Sequence, residues 1–278
     1  MAHTISIYML GTGSPRPDLE RYSVSQALVV DDVPIMIDCG ENATQQLLKV
    51  GIAPQNVRYL WFTHLHSDHV FGYPRFLLGG WGMGRDQLTV IGPSGTKRFH
   101  DTLIDMFEDD IAYRRSVGYP PEGILDVNVI EIEEPGVVQL DFPWKVTTEK
   151  MIHNVPTYAF RFDIGSKAVV FSGDTAPTEA LVRLAQGADV LVHDAGLATN
   201  PRYENPTDER VKTIWANLQK EHCTPRQAAE TARRAGVKTL VLTHFLPQVN
   251  ESKILKEASE VFDGTIIVAK DLQKIDVV

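Results

Sequence analysis

Residues 63–69 read Thr63-His64-Leu65-His66-Ser67-Asp68-His69 and place three imidazoles and one carboxylate within six consecutive positions. Ordinary packing does not require such a density of metal-binding side chains, and the whole chain has only nine histidines. The alternative is a polar surface loop that happens to be rich in histidine. We interpret the run as a metal site.

The spacing within this run predicts two ions. The preceding segment, Val57 to Phe62, is apolar, aromatic and β-branched, which predicts a buried strand that ends where the run begins. His64 and His66 are two residues apart in extended chain, so their side chains share a face and can hold one ion. Asp68 and His69 open a helical stretch and can reach a second ion. Imidazole nitrogens with a carboxylate oxygen favour Zn²⁺, and Mn²⁺ and Fe²⁺ are alternatives because no thiolate narrows the choice.

The composition is typical of a globular protein. Hydrophobic residues make up 43% and charged residues 23% of the 278 residues. No segment resembles a linker, so we expect one α/β domain over residues 1–278. The net charge of −9 disfavours a surface that binds nucleic acid along its length, although a local basic patch is compatible with it.

The sequence gives no sign of export. The first ten residues lack a basic segment followed by an apolar core, and no apolar run has the length of a membrane span. Cys39 and Cys223 have neither metal-ligand nor redox-pair spacing, so we expect reduced thiols. These features favour a cytoplasmic protein without membrane insertion.

Strand-like and helical runs alternate in two strand-rich halves, which predicts two packed sheets with helices outside, an α/β four-layer αββα sandwich. In the stretch from Thr224 to Gly236, Thr224 and Gln227 form a capping box, Pro225 suits the first helical position and Gly236 can end the helix. The predicted strands are Ile5 to Leu10, Gln26 to Val30, Pro34 to Asp38, Val57 to Phe62, Leu88 to Ile91, Val127 to Ile132, Trp144 to Met151, Thr157 to Phe162, Ala168 to Ser172, Val190 to His193, Thr239 to Thr243 and Thr265 to Val268. The predicted helices are Ala43 to Val50, Gly95 to Phe107, Thr178 to Gln186, Asp208 to Gln219, Arg226 to Ala235 and Ser252 to Val261.

Three later residues can complete the metal site. His153, Asp174 and His244 each lie at or just beyond the end of a predicted strand. Any one of them alone could be an ordinary polar residue with satisfied hydrogen bonds. Because four ligands cannot saturate two ions, we predict that all three belong to the site.

These motifs resemble the metallo-β-lactamase superfamily over nearly the whole chain. The resemblance rests on HLHSDH at residues 64–69, His153, SGDT at residues 172–175 and LTH at residues 242–244. It implies a hydroxide that bridges the ions and acts as nucleophile, because two cations lower the pKa of a bound water from ~15.7 toward about 7. It also implies the ligands of the first ion, those of the second ion and a bridging carboxylate, in that order: His64, His66 and His153; Asp68, His69 and His244; and Asp174. Asp68 would also orient the nucleophile.

Further segments resemble the ribonuclease Z branch, which also contains aryl sulfatase-like enzymes and small phosphodiesterases. They are LGTGSP at residues 10–15, IDCG at 37–40, LVHDA at 191–195 and HCTPRQAA at 222–229. The resemblance implies that His222 protonates the leaving group and that Asp194 orients it. The usual glutamate of the family is here Asp194, which is one methylene shorter. Alternatively, His222 is a helix-start residue without a catalytic role. Asp38 is either an acceptor that fixes a ligand imidazole or an ordinary strand-end cap.

The substrate prediction depends on a departure from the ribonuclease Z pattern. In ribonuclease Z a long arm that clamps transfer RNA is inserted after the position of His153, whereas here a hairpin fills the stretch to Asp174. Together with the acidic balance, this favours a small-molecule ester (a phosphodiester, aryl sulfate or lactone) over nucleic acid as substrate. The alternative is a ribonuclease Z-type transfer-RNA 3′ endonuclease.

Aromatic residues in two loop-like stretches predict the walls of a substrate pocket. Trp81 lies in a glycine-rich stretch after the histidine run, and Tyr203 and Trp215 lie between Asp194 and His222. We expect them to line an apolar pocket for an aryl group. Alternatively they are core or interface aromatics, and a homodimer is left open.

Two further functional classes are considered. A binding or regulatory protein with a degenerate site is disfavoured by the full ligand set. A redox di-iron protein is disfavoured by His66, because that branch of the superfamily usually has glutamate there.

Overall fold

Two mixed β-sheets of seven strands each dominate the structure, a computed structural model that describes residues 3–198, 200–204 and 206–278. The strands of these sheets are β1 Ile5–Gly11, β2 Ser25–Val30, β3 Val33–Ile37, β4 Tyr59–Trp61, β5 Thr89–Pro93, β6 Asn128–Ile132, β7 Gly136–Val137, β8 Lys145–Lys150, β9 Tyr158–Ile164, β10 Lys167–Phe171, β11 Val190–Asp194, β12 Thr239–Thr243, β13 Thr265–Val268 and β14 Gln273–Asp276.

The two sheets share a plan. The first has the order β14-β1-β2-β3-β4-β5-β6 and is parallel from β3 to β6. The second has the order β13-β12-β11-β10-β9-β8-β7 and is parallel from β10 to β13. In the second sheet β9 pairs antiparallel with both neighbours, so β8 and β10 end at the same edge. This arrangement gathers the carboxyl ends of several strands at one edge of each sheet.

Helices cover the outer faces of the sheets. Their bounds are α1 Ala43–Lys49, α2 Ser67–Val70, α3 Tyr73–Gly82, α4 Thr96–Met106, α5 Glu108–Ser116, α6 Glu179–Leu184, α7 Pro201–Glu204, α8 Glu209–Leu218, α9 Pro225–Ala235 and α10 Glu251–Ser259. The predicted ends of α9 are confirmed. Thr224 and Gln227 form the reciprocal capping box, Pro225 occupies the first turn, and Gly236 ends the helix with φ 65°. No helix in these described ranges is both long and apolar enough to cross a lipid bilayer.

Three hydrophobic clusters hold the layers together and confirm the predicted αββα sandwich. The central cluster lies between the sheets and joins β1 residues such as Ile7 to β9 residues such as Phe160. A second packs α6, α9 and α10 onto the second sheet, and a third packs α1, α3 and α4 onto the first. Each sheet is thus buried on both faces, which is why its parallel strands are almost wholly apolar.

Several short elements were not predicted. They are the strands β7 and β14 and the helices α3, α5 and α7. In α3 three glycines and a proline within ten residues predict a loop, but Tyr73, Phe76 and Trp81 are buried against the first sheet and stabilise the helix. A Cβ at Gly80 would lie 2.3 Å from the Arg85 guanidinium, so the glycine permits this close approach. Tertiary packing overrides the local preference here.

Candidate metal centre

The candidate metal-binding side chains lie where strands of the two sheets end. A hydrogen bond of 2.9 Å from the Tyr158 amide to the Thr63 carbonyl joins the sheets at this edge. The functional residues that follow or end β3, β4, β8, β10, β11 and β12 are, respectively, Asp38, His64, His153, Asp174, Asp194 and His244. The fold therefore brings residues from both halves of the chain to one place.

The first group consists of three histidines whose ring nitrogens converge. His66 Nδ1 lies 3.0 Å from His64 Nε2 and 3.2 Å from His153 Nε2. Asp174 Oδ2 lies 3.7 Å from the same nitrogen of His64 and 3.9 Å from that of His153. These four ligand atoms could hold one ion, which is the grouping expected from the sequence.

The second group contains Asp68, His69 and His244. Asp68 Oδ2 lies 3.2 Å from His244 Nε2 and 3.5 Å from His69 Nε2. Asp174 reaches this group as well, because its Oδ1 lies 3.5 Å from His69 Nε2 and its Oδ2 3.2 Å from His244 Nε2. Asp174 thus faces both groups, as a bridging carboxylate must.

In three of the candidate ligands, His64, His69 and His153, the other ring nitrogen contacts an oxygen that fixes the ring. His69 Nδ1 donates to Asp38 at 2.8 Å, and His153 Nδ1 donates to the carbonyl of Glu221 at 3.2 Å. His64 Nδ1 lies 3.1 Å from the Thr63 hydroxyl. This is the outer-sphere pattern that orients metal-binding imidazoles. For Asp38 the contact agrees with the acceptor interpretation.

Backbone strain accompanies the site. Asp38 and His244 both adopt left-handed backbone, with φ 54° and φ 66°. Such values are uncommon outside glycine and often occur at functional positions.

The electrostatics of the centre favour a bound cation. Burial lowers the pKa of His64, and the neighbouring imidazoles lower it further, which favours the neutral form that binds metals. Burial also opposes the charging of His69 and His244, but the carboxylate of Asp174 and its acidic neighbours outweigh it and raise their pKa. Burial alone would raise the pKa of Asp174, yet the charges of His244 and His69 hold it well below its ordinary value.

The residues present fit a pair of divalent ions. His69 Nε2 is fully buried and has no hydrogen-bond partner, although it points at two carboxylates. Imidazole nitrogens and carboxylate oxygens lie within 4.8 Å of one another in each group. This donor set suits Zn²⁺, Mn²⁺ or Fe²⁺. The assignment of individual ligands to each ion stays a prediction.

His222 and Asp194 form a pair beside this centre. His222 Nδ1 lies 2.9 Å from Asp194 Oδ2, so the shorter acid reaches the ring. Asp194 is held by the amides of Gly196 and Thr175 at 2.7 and 3.2 Å. Burial lowers the pKa of His222, but the charge and hydrogen bond of Asp194 outweigh it and the net direction is upward. His222 precedes the N-cap Thr224 of α9 by two residues and lies outside the helix.

A cavity of about 270 Å³ opens over the centre. Ile214, Leu218 and Leu246 form its apolar side, while Arg16, Asn154 and Glu221 contribute polar groups. We did not predict Ile214 and Leu218 as lining residues. Their spacing could have identified them, because they are four residues apart on α8 and so share a helix face.

The prediction that three aromatics line this cavity is wrong. Trp81 is 1% exposed in α3, and its indole donates to the carbonyl of Pro120 at 2.8 Å. Tyr203 and Trp215 stack on each other with their ring centroids 4.6 Å apart. None of the three is among the described residues that line the cavity.

Comparison with known proteins gives a family. Residues 34–245 match the family described as Beta-lactamase superfamily domain. Ribonuclease Z of Mycobacterium marinum (strain ATCC BAA-535 / M) is 33% identical over 285 residues, covering 98% of this chain and 99% of that protein. The metallo-beta-lactamase fold protein YhfI from Bacillus subtilis has a TM-score of 0.78 at 18% identity, covering 99% of this chain and 100% of that one.

A second solved structure agrees. Human tRNase Z, short form, has a TM-score of 0.73 at 21% identity, covering 98% of this chain and 99% of that one. These structural similarities show the fold, and the sequence matches show the family. The chain belongs to the beta-lactamase superfamily and is a metal-dependent hydrolase of ester bonds, with ribonuclease Z proteins among its homologues. The predicted family and fold class are confirmed.

Proposed function

We propose that the protein is a ribonuclease Z-type endonuclease that cleaves precursor transfer RNA at the 3′ trailer with two divalent ions, Zn²⁺ being the best match to the donor set. The observation that carries the proposal is the 33% identity to a ribonuclease Z over 98% of this chain and 99% of that protein. The convergence of His64, His153 and Asp174 in one group is consistent with it.

The comparison also weakens the argument for a small ester. The alignment with the Mycobacterium marinum protein has 285 columns against a chain of 278 residues and covers 99% of that protein. That relative therefore has no room for a long inserted arm either. The short hairpin of β9 and β10 does not separate this chain from ribonuclease Z proteins, and transfer RNA replaces a small ester as the favoured substrate.

Seven residues would hold the ions, namely His64, His66, Asp68, His69, His153, Asp174 and His244. When bound there, two divalent ions supply charge stabilisation to a phosphodiester under attack and lower the pKa of water from ~15.7 toward about 7. The carboxylate of Asp68 orients the attacking water. Its Oδ2 lies 3.5 Å from His69 Nε2 and 3.2 Å from His244 Nε2.

His222 is the proposed proton donor. Its Nδ1 bonds to Asp194, which leaves Nε2 as the remaining ring nitrogen, and its side chain lines the cavity. Asp194 keeps the ring charged and fixes its direction. A leaving oxygen of a ribose is a poor leaving group, so a positioned acid speeds its departure.

The test compares substrates on the Zn²⁺-loaded protein. A precursor transfer RNA with a 3′ trailer, bis(4-nitrophenyl) phosphate, an aryl sulfate and a lactone are assayed side by side. We expect a single cut at the trailer with the highest kcat/KM of the four. An intact precursor, together with rapid turnover of one small ester, would contradict the proposal.

A further inference from the structure

Arg16 is the single lysine or arginine among the described residues that line the cavity. It lies in the loop between β1 and β2, directly after the LGTGSP motif at residues 10–15. The acidic lining residues are Asp68, Asp174 and Glu221. Bound ions would neutralise the two aspartates, but Glu221 faces the cavity from the rim. A polyanion that enters this cavity meets one permanent positive side chain.

An aromatic pair holds the Arg16 guanidinium. Its Nη2 donates to the Tyr203 hydroxyl, and its central carbon lies 5.4 Å from the centroid of the Tyr203 ring. Tyr203 in turn stacks on Trp215 with an interplanar angle of 18°. The contacts are a hydrogen bond and a cation–π interaction, and they leave the charge of the guanidinium uncompensated.

No carboxylate in the described part of the chain lies within ion-pair distance of this guanidinium. Most other arginines that the structure describes as hydrogen-bonded contact an acid, such as Arg21 with Glu251 and Arg226 with Glu260. Arg16 is half-buried and yet unpaired by charge. A desolvated arginine held without an acid is poised for an external anion.

The loop that carries Arg16 is anchored at both ends. Asp271 accepts hydrogen bonds from the Thr12 amide and hydroxyl at 2.9 and 2.7 Å, and from the Tyr22 amide at 2.7 Å. The buried Arg21 guanidinium donates to the Thr12 hydroxyl at 2.7 Å. The two ends of the loop that carries Arg16 are therefore held by hydrogen bonds.

We infer that Arg16 binds a phosphate of the substrate next to the phosphodiester at the metal centre, and that Tyr203 positions it for this contact. The inference deepens the proposed function and rests on it. A planar guanidinium matches two phosphate oxygens, and polynucleotides carry a phosphate on either side of the one that is cleaved. This local contact offsets the repulsion of an anionic substrate by a protein whose net charge is −9.

The first experiment needs no RNA. The Zn²⁺-loaded protein is assayed with bis(4-nitrophenyl) phosphate, and inhibition of this hydrolysis is measured with adenosine 3′,5′-bisphosphate and with adenosine 3′-monophosphate. We expect the bisphosphate to inhibit at the lower concentration. Arg16→Ala should reduce that advantage about tenfold, since a charge-assisted contact to one phosphate is lost. KM and kcat for the diester, which has a single phosphate, should stay within about twofold.

The second experiment uses precursor transfer RNA. Arg16→Ala should raise KM about tenfold with little change in kcat, and the slope of log KM against log salt should fall by about 0.7. Arg16→Lys keeps the charge and should recover part of the loss. Arg98→Ala, at an exposed position on α4, is the matched control and should change neither value. Metal content is measured in each variant, so that a damaged centre is recognised.

The positioning role has its own variant. Tyr203→Phe keeps the stack on Trp215 but removes the hydroxyl that accepts from Arg16. It should raise KM for RNA about threefold and leave kcat and bis(4-nitrophenyl) phosphate hydrolysis unchanged. In an Arg16→Ala background the same change should have no further effect on KM, because the two residues act through one contact.

The outcomes are distinct. An equal inhibition by both nucleotides, or a bisphosphate advantage that survives Arg16→Ala, overturns the inference. A bisphosphate advantage that depends on Arg16 in a protein that leaves precursor RNA intact supports the phosphate site and overturns the proposed function. RNA cleavage with an Arg16→Ala variant equal to wild type supports the proposed function and overturns the inference.

Discussion

Two buried carboxylates, Asp38 and Asp194, lie at strand ends in different sheets and have different partners. Asp38 follows β3, and Asp194 ends β11, each beside the next parallel strand of its sheet. Asp38 contacts one imidazole, accepting from His69 Nδ1 at 2.8 Å. Asp194 faces two, with His222 Nδ1 at 2.9 Å and His244 Nδ1 at 3.4 Å.

The two carboxylates also differ in their remaining contacts and in the direction of their pKa shifts. The Asp38 carboxylate also accepts two hydrogen bonds from Thr63, whose amide and hydroxyl each donate at 2.8 Å. Burial raises the pKa of Asp38 despite the opposing charge of His69. Burial also acts to raise the pKa of Asp194, but the charge of His222 outweighs it and the pKa is lowered. The first half therefore fixes one candidate ligand, whereas the second half also supports a charged imidazole at the cavity.

The largest effect is expected where both halves meet. Asp174→Ala removes the carboxylate that faces both histidine groups. We expect loss of metal and a drop in kcat of at least about 10³-fold, because charge stabilisation and water activation both fail. Metal content by elemental analysis and single-turnover rates measure this. Asp163→Ala, a change at a half-buried carboxylate of β9 outside the centre, is the control. A variant that kept two ions and full activity would refute the bridging role.

The second-largest effect is expected for a substitution in the second half of the chain. His222→Ala leaves the candidate ligands in place and removes the proposed proton donor. We expect kcat on RNA to fall about 10²-fold while kcat on a 4-nitrophenyl diester changes little, because nitrophenolate leaves without a proton. Both substrates are assayed at saturating Zn²⁺. An equal loss on both would assign His222 to metal binding or structure instead.

A paired substitution tests the two carboxylates directly. Asp38→Asn and Asp194→Asn should each weaken metal binding by about 10-fold, since Asp38 accepts a hydrogen bond from His69 and the charge of Asp194 lies 3.4 Å from His244 Nδ1. At saturating metal, only Asp194→Asn should still reduce kcat on RNA, because His222 loses its partner. Zn²⁺ titrations and kcat values separate the two effects. Equal kcat values for both variants at saturating Zn²⁺ would contradict the prediction that only Asp194 supports a proton donor.

The smallest effect concerns the opposite end of β11. Asp189 just precedes that strand and accepts from Lys238 Nζ at 2.7 Å and from the Ala168 amide at 2.9 Å. Burial raises its pKa, but these contacts together with Lys167 outweigh it and lower the pKa below the ordinary 3.8. A lowered pKa stabilises the fold above the ordinary value, and this stability is lost as the pH falls through the pKa of the folded state.

Asp189→Asn should accordingly cost about 1 kcal/mol at pH 7, with partial screening by solvent at Lys238. The difference in Tm from wild type should begin to shrink as the pH falls below about 4 and should vanish only below the lowered pKa of the folded state, where the carboxylate is protonated in both states. Thermal unfolding across this range measures it, and RNA cleavage should be unchanged. A Tm difference that stays constant with pH would show that charge is not the cause.

Local patterns predicted much of the fold. Strand and helix positions followed from apolar periodicity and from caps such as Thr224 and Gly236, because these preferences act within a few residues. Where the prediction failed, distant packing was the reason. The glycines of α3 indicate a loop until the buried faces of Phe76 and Trp81 are considered, and only the fold supplies the partners of those rings.

By itself the sequence determined the family, the layered architecture and the histidine side of the metal centre. His64, His66, Asp68 and His69 fall within six consecutive positions, and the geometry of a strand end followed by a short helix fixes their spacing. The resemblance to the family also implied that Asp194 orients His222, 28 residues away, and the structure places the two side chains 2.9 Å apart. The tertiary structure alone showed that Arg16 meets a tyrosine 187 residues away. Such contacts depend on how two sheets and their helices pack, and packing is a property of the whole chain rather than of any local segment.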